Sequence, residues 1–217
     1  MGDPAAHHAR PTTPTTMDGM TNTDAFDAPL TLDQDAVLLL IDVQKGFEDT
    51  AFWGPRDNPR AEQRMAELIA AWQATGRPIV TVQHTSPAGP LAEGTPGHGL
   101  KDFVADVTPA LHVTKTVNSA FYGTPDLHAW LQERGARQVV VTGIITNVCN
   151  ETTARMAGNL GYDAVFPVDA MHSFDMTGPD GTTVPAADLA RATATTLHAM
   201  RFAKVVMTEQ VLRAAKA

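Results

Sequence analysis

The stretch at residues 139–160 constrains the fold of this chain more than any other. It begins with a short run of β-branched apolar residues that leads into Gly143. Such a run is too short for a membrane span and is typical of a central strand in a parallel sheet. Thr146 and Asn147 are good N-cap residues for a helix that begins directly afterwards. The stretch therefore predicts a buried strand, a tight turn and a helix.

Cys149, the only cysteine of the chain, falls in the first turn of that predicted helix. Unpaired amide N–H groups and the positive end of the helix dipole favour a thiolate at such a position. The position therefore fits a nucleophile. A lone cysteine is also commonly a small buried apolar residue, so its position alone leaves both interpretations open.

Composition and charge restrict the class of protein. A length of 217 residues suits one sizeable α/β domain. The net charge of −8 argues against nucleic acid or an anionic membrane surface as the main partner. One cysteine cannot form an internal disulfide, and neither a signal peptide nor an apolar run of ~20 residues is recognisable. We therefore expect a cytoplasmic protein without a membrane or nucleic-acid partner.

The pattern of apolar runs divides the chain into two parts. Residues 1–30 contain prolines and threonines without apolar periodicity, which predicts a flexible N-terminal arm. Over residues 31–217, apolar runs alternate with amphipathic segments and predict one α/β domain. The predicted strands lie at residues 36–41, 78–83, 111–115, 139–143, 162–168 and 204–207. With right-handed crossovers they form a central, mostly parallel six-stranded Rossmann-like sheet in a three-layer α/β/α sandwich.

Polar residues follow the carboxyl ends of several predicted strands, where parallel sheets bind their ligands. These strand-end residues are Asp42, Gln83, His84, Lys115, Cys149 and Asp169. Asp42 is a better candidate for the catalytic base than His84. A cation at Lys115 would keep the Asp42 carboxylate ionised. Each of the two, taken alone, is more often an ordinary strand-end or surface residue. An aspartate, a lysine and a cysteine together at the ends of one sheet indicate a site.

Residues 84–104 contain so many glycines and prolines that no helix or strand is expected there. A loop of this length in a compact domain is more often functional than a mere connection. The segment therefore predicts a loop or lid beside the site.

Three segments, in this order, resemble the signatures of the isochorismatase-like cysteine hydrolases. They are residues 42–47 (DVQKGF), 115–121 (KTVNSAF) and 143–149 (GIITNVC), and the resemblance covers about residues 35–212. That superfamily includes nicotinamidases, N-carbamoylsarcosine amidases, ureidoacrylate and biuret amidohydrolases, and streptothricin hydrolases. The resemblance implies a hydrolase domain over residues 31–217.

The resemblance also implies a role for each signature residue. Asp42 would be the general base and acid, Lys115 the orienting cation, and Cys149 the nucleophile that forms a thioester. The backbone N–H groups of Ile145 and Cys149 would form the oxyanion hole. The superfamily typically has a cis peptide in this turn, which here would lie between Ile144 and Ile145.

The resemblance extends less directly to the residues that would bind the substrate. Gln44 and Phe47 would line the base of the pocket, and His84 and Phe174 would face its mouth. The full set of expected substrate-binding residues is Gln44, Phe47, His84, Asn118, Tyr122 and Phe174. For Phe121, core packing is the preferred interpretation, and His172 is a weaker candidate.

Two differences from particular members of the superfamily narrow the range of activities that we expect. The first concerns nicotinamidases and the second concerns true isochorismatases. Nicotinamidases hold a metal with an Asp-x-His pattern and a further histidine, whereas residues 82–84 here contain no carboxylate and His98 has an unconvincing spacing. We therefore expect neither a metal nor another cofactor, and nicotinamide is a poor first guess as substrate. True isochorismatases cleave a vinyl ether without a cysteine nucleophile, so Cys149 favours hydrolysis of a C–N bond.

Three functions stay open at this point. The first is a metal-independent amidohydrolase with an Asp-Lys-Cys triad that hydrolyses an amide, ureide or lactam of a small molecule. The alternative is an isochorismatase-type vinyl-ether hydrolase in which Asp42 is the general acid and Cys149 is not essential. The third is a non-catalytic binding or assembly module, against which the intact triad argues. Relatives usually form dimers or tetramers, which implies a homodimer or homotetramer, and the substrate is left open.

Overall fold

The computed structural model of the chain describes residues 29–216, so the predicted arm at residues 1–30 lies almost entirely outside the described residues. The strands are β1 (Val37–Ile41), β2 (Ile79–His84), β3 (Leu111–Lys115), β4 (Gln138–Ile144), β5 (Asp163–Pro167), β6 (Met171–His172), β7 (Met176–Thr177), β8 (Thr183–Val184) and β9 (Lys204–Val206). The helices are α1 (Thr50–Trp53), α2 (Ala61–Thr75), α3 (Asp102–Ala105), α4 (Leu127–Glu133), α5 (Glu151–Asn159), α6 (Ala186–Ala199) and α7 (Thr208–Ala215). No helix within residues 29–216 has the length and apolar character that crossing a membrane would require.

The central sheet is parallel, with its strands in the order β3-β2-β1-β4-β5-β9. Ile41 at the end of β1 lies opposite Gly143 of β4, and His84 at the end of β2 lies opposite Lys115 of β3. The six predicted strands and the α/β/α sandwich are thus confirmed. The short β6 pairs with the end of β4, and β7 and β8 form a separate hairpin. Two-residue strands carry no periodicity, so sequence patterns do not predict them.

Both faces of the sheet are covered, as β1 shows. Leu38 and Leu40 belong to one apolar cluster, and Val37, Leu39 and Ile41 belong to the other. The division arises because successive residues of a strand point to opposite faces. Helices α2 and α7 pack on the first face, and α4, α5 and α6 pack on the second. The predicted apolar stripe of α2 is buried and consists of Met65, Leu68, Ile69 and Trp72.

Helix ends differ from the sequence-based expectation where local side chains have other partners. The sequence predicts Asn58 as N-cap and Pro59 as the first residue of a helix, but α2 begins at Ala61. The Asn58 side chain instead donates to the carbonyl oxygens of Asp169 and Met171, at 2.8 and 2.7 Å. α4 follows a cis bond at Pro125 and has Asp126 as its N-cap. The sequence predicts that a helix over residues 186–200 buries Leu197 and Met200; Leu197 is buried, whereas α6 ends at Ala199 and Met200 is 64% exposed.

Candidate active site

Three of the residues that the sequence predicts for the site meet at the carboxyl edge of the sheet. Asp42 follows β1 in a left-handed backbone conformation with φ 52°, and Lys115 is the last residue of β3. Cys149 lies in a π-helical turn, Thr146–Asn150, between β4 and α5. β1 is paired directly with β4, and β3 lies on the other side of β2, so the long Lys115 side chain spans the end of β2 to reach Asp42.

The side chains of the three residues form one contact cluster. Lys115 Nζ lies 2.7 Å from Asp42 Oδ2 and 3.5 Å from Cys149 Sγ. The side chains of Asp42 and Lys115 have no exposed surface, and Cys149 is 7% exposed. Because little water screens the two charges, each of them acts strongly on the neighbouring thiol, in opposite directions.

Lys115 supplies the positive charge of this cluster. Potential ligand atoms of Asp42, His84 and Cys149 lie within 4.8 Å of one another, a spacing at which such groups can hold a metal ion. The Lys115 ammonium contacts all three residues, with His84 Nδ1 at 3.2 Å. A divalent cation among them would face a buried like charge. The residues therefore fit a lysine-centred site better than a metal centre.

The turn that carries Cys149 depends on Gly143. This glycine has φ 135°, and a Cβ atom there would lie 2.0 Å from the carbonyl oxygen of Ile41. Only glycine therefore lets β4 pair with β1 up to the site. The peptide bond between Ile144 and Ile145 is cis, as the family resemblance implies.

The N-cap that the sequence predicts for the following helix is not formed. Thr146 Oγ has no hydrogen-bond partner among residues 29–216, and the Asn147 side chain bonds to Ser173 Oγ instead. α-Helical bonding begins only at Glu151. Cys149 thus precedes α5 instead of lying in its first turn, which lessens the effect of the helix dipole on the thiol.

Burial and charge together set the protonation states of the site. Burial raises the pKa of the Asp42 carboxyl, and the Lys115 ammonium offsets part of that increase. Burial and the Asp42 charge raise the pKa of the Cys149 thiol, which Lys115 again opposes. Burial and the Asp42 charge thus oppose the thiolate that a helix N-terminus would favour at this position. A neighbouring carboxylate with a raised pKa is well suited to accept the thiol proton when the sulfur attacks.

The raised pKa of Asp42 predicts where activity is lost in acid. As the pH falls, Asp42 binds a proton while ordinary carboxylates, with a pKa of about 4, are still ionised. Protonated Asp42 cannot accept the thiol proton, so kcat/KM should decline at a pH above that ordinary range. The measurement is the pH profile of kcat/KM, with folding followed by circular dichroism at each pH. A midpoint at or below the ordinary carboxyl value would contradict the role of Asp42 as base.

Gln44, expected at the base of the pocket, holds a loop in position with its side-chain amide, and its contact with a substrate stays a prediction. Its buried side-chain amide donates to the carbonyl oxygens of His84 and His98, at 3.0 and 2.7 Å. Its Oε1 accepts a hydrogen bond from the backbone N–H of His84 at 2.8 Å. These bonds use both amide donors and fasten the Gly- and Pro-rich segment to the turn that follows Asp42.

The Gly- and Pro-rich segment has more regular structure than its composition predicts. It contains a 3-10 turn at Pro96–His98, and α3 begins near its end. A Cβ atom at Gly97 would lie 2.3 Å from the carbonyl oxygen of Pro90 and 2.7 Å from Gly46 Cα. The lack of a side chain at Gly97 therefore permits close packing beside the site. That the segment moves as a lid stays a prediction.

Three of the expected pocket residues differ in their access to the nucleophile. His84 is half-buried, and burial together with the Lys115 charge lowers its pKa, so the neutral ring can accept a hydrogen bond from the ammonium. Asn118 Oδ1 lies 4.0 Å from Cys149 Sγ, close enough for both residues to contact one substrate. Tyr122 is 70% exposed, so its expected contact with a substrate stays a prediction.

Phe47 and Phe174, both expected to bind the substrate, form an aromatic wall together with Trp53. The ring centroids of Phe47 and Trp53 are 4.9 Å apart, and those of Trp53 and Phe174 are 5.4 Å apart. Phe47 and Phe174 share an apolar cluster with Ile145, whose N–H is expected in the oxyanion hole. Sequence reasoning missed Trp53, since no spacing relates it to the other two rings.

His172 supports the aromatic wall from within the protein. Its Cα is paired with that of Ile144 across β4 and β6, and its ring lies edge-on to Phe174 at 5.2 Å. The ring is fully buried, and neither nitrogen has a hydrogen-bond partner among residues 29–216. Burial lowers the pKa of His172 to about 3, so the ring is neutral at physiological pH.

Two other strand-end residues have structural roles outside the site. Asp169 Oδ1 accepts hydrogen bonds from the backbone N–H and hydroxyl of Thr208, at 2.7 and 2.8 Å, at the start of α7. The Gln83 amide donates to the carbonyl oxygen of His98 at 2.7 Å. The rule that ligands bind at strand ends thus identifies the edge of the sheet that carries the site. It also selects residues, such as these two, that only hold neighbouring elements in place.

Comparison with known proteins shows the family. The isochorismatase domain model matches residues 36–210 of the chain. The chain belongs to the isochorismatase family. This assignment agrees with the three signature segments, and it makes the protein an isochorismatase-family hydrolase.

Similar proteins cover most of the chain of this family member. YrdC of Bacillus subtilis, an uncharacterised isochorismatase family protein, is 34% identical over 183 residues, which are 83% of this chain and 96% of YrdC. The ureidoacrylate amidohydrolase RutB of Methylorubrum extorquens is 29% identical over 206 residues, covering 78% of this chain and 79% of RutB. The crystal structure of an isochorismatase-family protein from Chromobacterium violaceum matches with a TM-score of 0.81 at 35% identity, over 87% of this chain and 98% of that one.

Proposed function

We propose that this isochorismatase-family hydrolase cleaves a C–N bond of a small amide, ureide or lactam through a thioester on Cys149, without a metal. The observation that carries the proposal is the buried cluster in which Lys115 Nζ lies 2.7 Å from Asp42 and 3.5 Å from Cys149 Sγ. A nucleophile, a base with a raised pKa and a fixed cation are the groups that thiol-based hydrolysis requires. The similarity to an amidohydrolase supports C–N bonds as the target.

The first half-reaction forms the thioester. Asp42 accepts the thiol proton as Cys149 Sγ attacks the carbonyl carbon, and the N–H groups of Ile145 and Cys149 bind the oxygen that becomes negative. Asp42 then gives the proton to the leaving nitrogen. The C–N bond breaks and the acyl group is left on sulfur. With an amide or ureide the amine departs, whereas with a lactam it stays tethered to the acyl group.

The second half-reaction releases the acid. Asp42, ionised again, takes a proton from a water molecule as that water attacks the thioester carbon. The C–S bond breaks, and Asp42 returns the proton to the sulfur. Lys115 keeps Asp42 in position beside the thiol, because its Nζ contacts both groups.

A vinyl-ether hydrolase is the second candidate, and the raised pKa of Asp42 favours it. A carboxyl that holds its proton more tightly can protonate an ether substrate as a general acid. In that reaction the thiol would take no part, so the two candidates differ in their need for Cys149. A cytoplasmic location and assembly as a homodimer or homotetramer stay predictions from the sequence.

The deciding experiment measures the formation of acid and of free amino groups from a panel of small amides, ureides and lactams, using wild type and Cys149→Ala in the presence of a chelator. We expect turnover that resists the chelator and is lost in Cys149→Ala, because no other thiol in the chain can form the thioester. Intact-protein mass spectrometry should show an acyl adduct on the wild type alone. Turnover that survives in Cys149→Ala would overturn the thiol mechanism, and vinyl ethers would then be tested as substrates.

A further inference from the structure

The positive charges on the elements around the site are already paired with carboxylates. Lys101 Nζ is almost completely buried and lies 2.9 Å from Glu62 and 3.2 Å from Glu48. Arg56 forms an ion pair with the same Glu62, and Lys45 lies 2.7 Å from Asp102. None of these three cations is therefore available to a substrate without breaking an existing ion pair.

The cation at the nucleophile itself is engaged in the same way. The Lys115 ammonium is fully buried against Asp42 at 2.7 Å, and the two charges cancel. His84 and His172 carry no charge at neutral pH, since burial lowers the pKa of both rings. A carboxylate brought next to Cys149 would lose its water and would gain no cation in exchange, which is costly.

The aromatic wall is apolar, in contrast to the paired charges around Cys149. Phe47 and Phe174 are 5% and 3% exposed, and their ring planes are nearly parallel at a centroid distance of 6.2 Å. Phe174 lies two residues after His172, whose Cα pairs with that of Ile144. The wall belongs to the same apolar cluster as Ile145, whose N–H is expected to bind the substrate oxygen, and its rings are flat and apolar.

We infer that the acyl group accepted by Cys149 is uncharged and has a flat apolar face that packs on the aromatic wall, and that acyl groups bearing a carboxylate are rejected. This inference rests on the proposed function and names the substrate class for it. It separates this chain from any hydrolase that recognises a substrate carboxylate with a free arginine or lysine.

Alkylation of Cys149 tests the charge preference without knowledge of the substrate. Cys149 is the only cysteine, so the mass of the intact protein reports this residue alone. Neutral iodoacetamide and anionic iodoacetate are similar in size, and N-acetylcysteine gives their intrinsic ratio of rates. Relative to N-acetylcysteine, the protein should favour iodoacetamide by about tenfold or more, because the carboxylate must be buried without a cation. An equal or higher relative rate with iodoacetate would overturn the inference.

A second comparison tests the aromatic wall. N-phenyl iodoacetamide should alkylate Cys149 about three- to tenfold faster than iodoacetamide, again relative to N-acetylcysteine, because its ring can pack on the wall. Phe174→Leu should remove most of this gain. The matched control is Phe202→Leu, since the Phe202 ring packs on Arg155 away from the site. Should Phe174→Leu fail to fold, Trp53→Leu is the second variant, because Trp53 is only partly buried.

The outcomes separate this inference from the proposed function. No gain with the phenyl reagent, or an equal gain in wild type and a folded wall variant, would overturn the role of the aromatic wall. Alkylation rates do not depend on hydrolysis. Hydrolysis that persists in Cys149→Ala would overturn the proposed function, whatever the alkylation rates are. A preference for iodoacetate in an enzyme whose hydrolysis needs Cys149 would overturn only the inferred substrate class.

Discussion

Replacement of Asp42 by Asn is expected to lower kcat/KM for hydrolysis by about 10²–10⁴-fold or more, the range that general acid–base catalysis supplies. Asparagine keeps the size of the side chain but cannot accept the thiol proton, protonate the leaving nitrogen or activate water. Asp42 is the only carboxylate that contacts Lys115 Nζ in the described residues, at 2.7 Å, and Cys149 lies against the same ammonium. The loss should therefore affect both half-reactions. Steady-state kinetics on the best substrate of the panel measures it.

The matched control for this variant is Asp169→Asn. Asp169 also follows a strand of the central sheet, but its carboxylate receives hydrogen bonds at the start of α7 and does not contact the triad. Its replacement should change kcat/KM by no more than about twofold, as expected of a residue outside the reacting groups. A folded Asp42→Asn protein with near wild-type turnover would contradict the assignment of Asp42 as base and acid.

Replacement of Lys115 by Met is expected to lower the free energy of unfolding by about 3–5 kcal/mol at neutral pH, because it leaves a buried carboxylate without its partner. Both side chains of the ion pair are fully buried, so water cannot replace the lost ammonium. Methionine retains most of the volume, which confines the effect to charge. Chemical denaturation of wild type and variant measures the difference.

The buried Asp42 carboxylate also determines how the stability of Lys115→Met depends on pH. Unpaired Asp42 has a pKa above its value in the unfolded chain, so the loss of stability grows as the pH rises above the unfolded value of about 4. The loss is relieved as the pH falls towards that value and Asp42 becomes protonated. The double variant Asp42→Asn, Lys115→Met should recover most of the stability at neutral pH, since neither charge is left.

The control for the stability measurement is Lys204→Met. Lys204 pairs with Asp163 at the same 2.7 Å, but the two side chains are 56% and 38% exposed. Water screens this pair, so its loss should cost less than about 1 kcal/mol. Equal losses for Lys115→Met and Lys204→Met would show that burial of the Asp42–Lys115 pair is not what makes it matter.

Several features of the site were predictable because they follow from local patterns and one rule of topology. Apolar runs identify β1, β3 and β4, and parallel strands place their carboxyl ends at one edge of the sheet. Asp42, Lys115 and Cys149 each lie directly at or after such an end. Their proximity could therefore be expected before any distance was known, and the three signature segments assigned their roles by resemblance.

Other features could not be predicted because they depend on contacts between residues distant in sequence. Gln44 fastens His84 and His98, which lie 40 and 54 positions away. Trp53 joins the aromatic wall through a residue more than a hundred positions later. Thr146 is a residue type that commonly caps helices. In the π-helical turn, however, its hydroxyl forms no capping hydrogen bond.

The sequence by itself determined the α/β sandwich, the edge of the sheet that carries the site and the three residues that meet there, because strand periodicity and strand ends are local properties. Only the tertiary structure decided that Asp42 and Lys115 form a fully buried ion pair, that burial raises the pKa of the thiol beside them and that the neighbouring cations are already paired. Each of these depends on burial and on distances of a few ångströms between separate strands and loops. Electrostatic energies change steeply over such distances, and no spacing in the sequence records them.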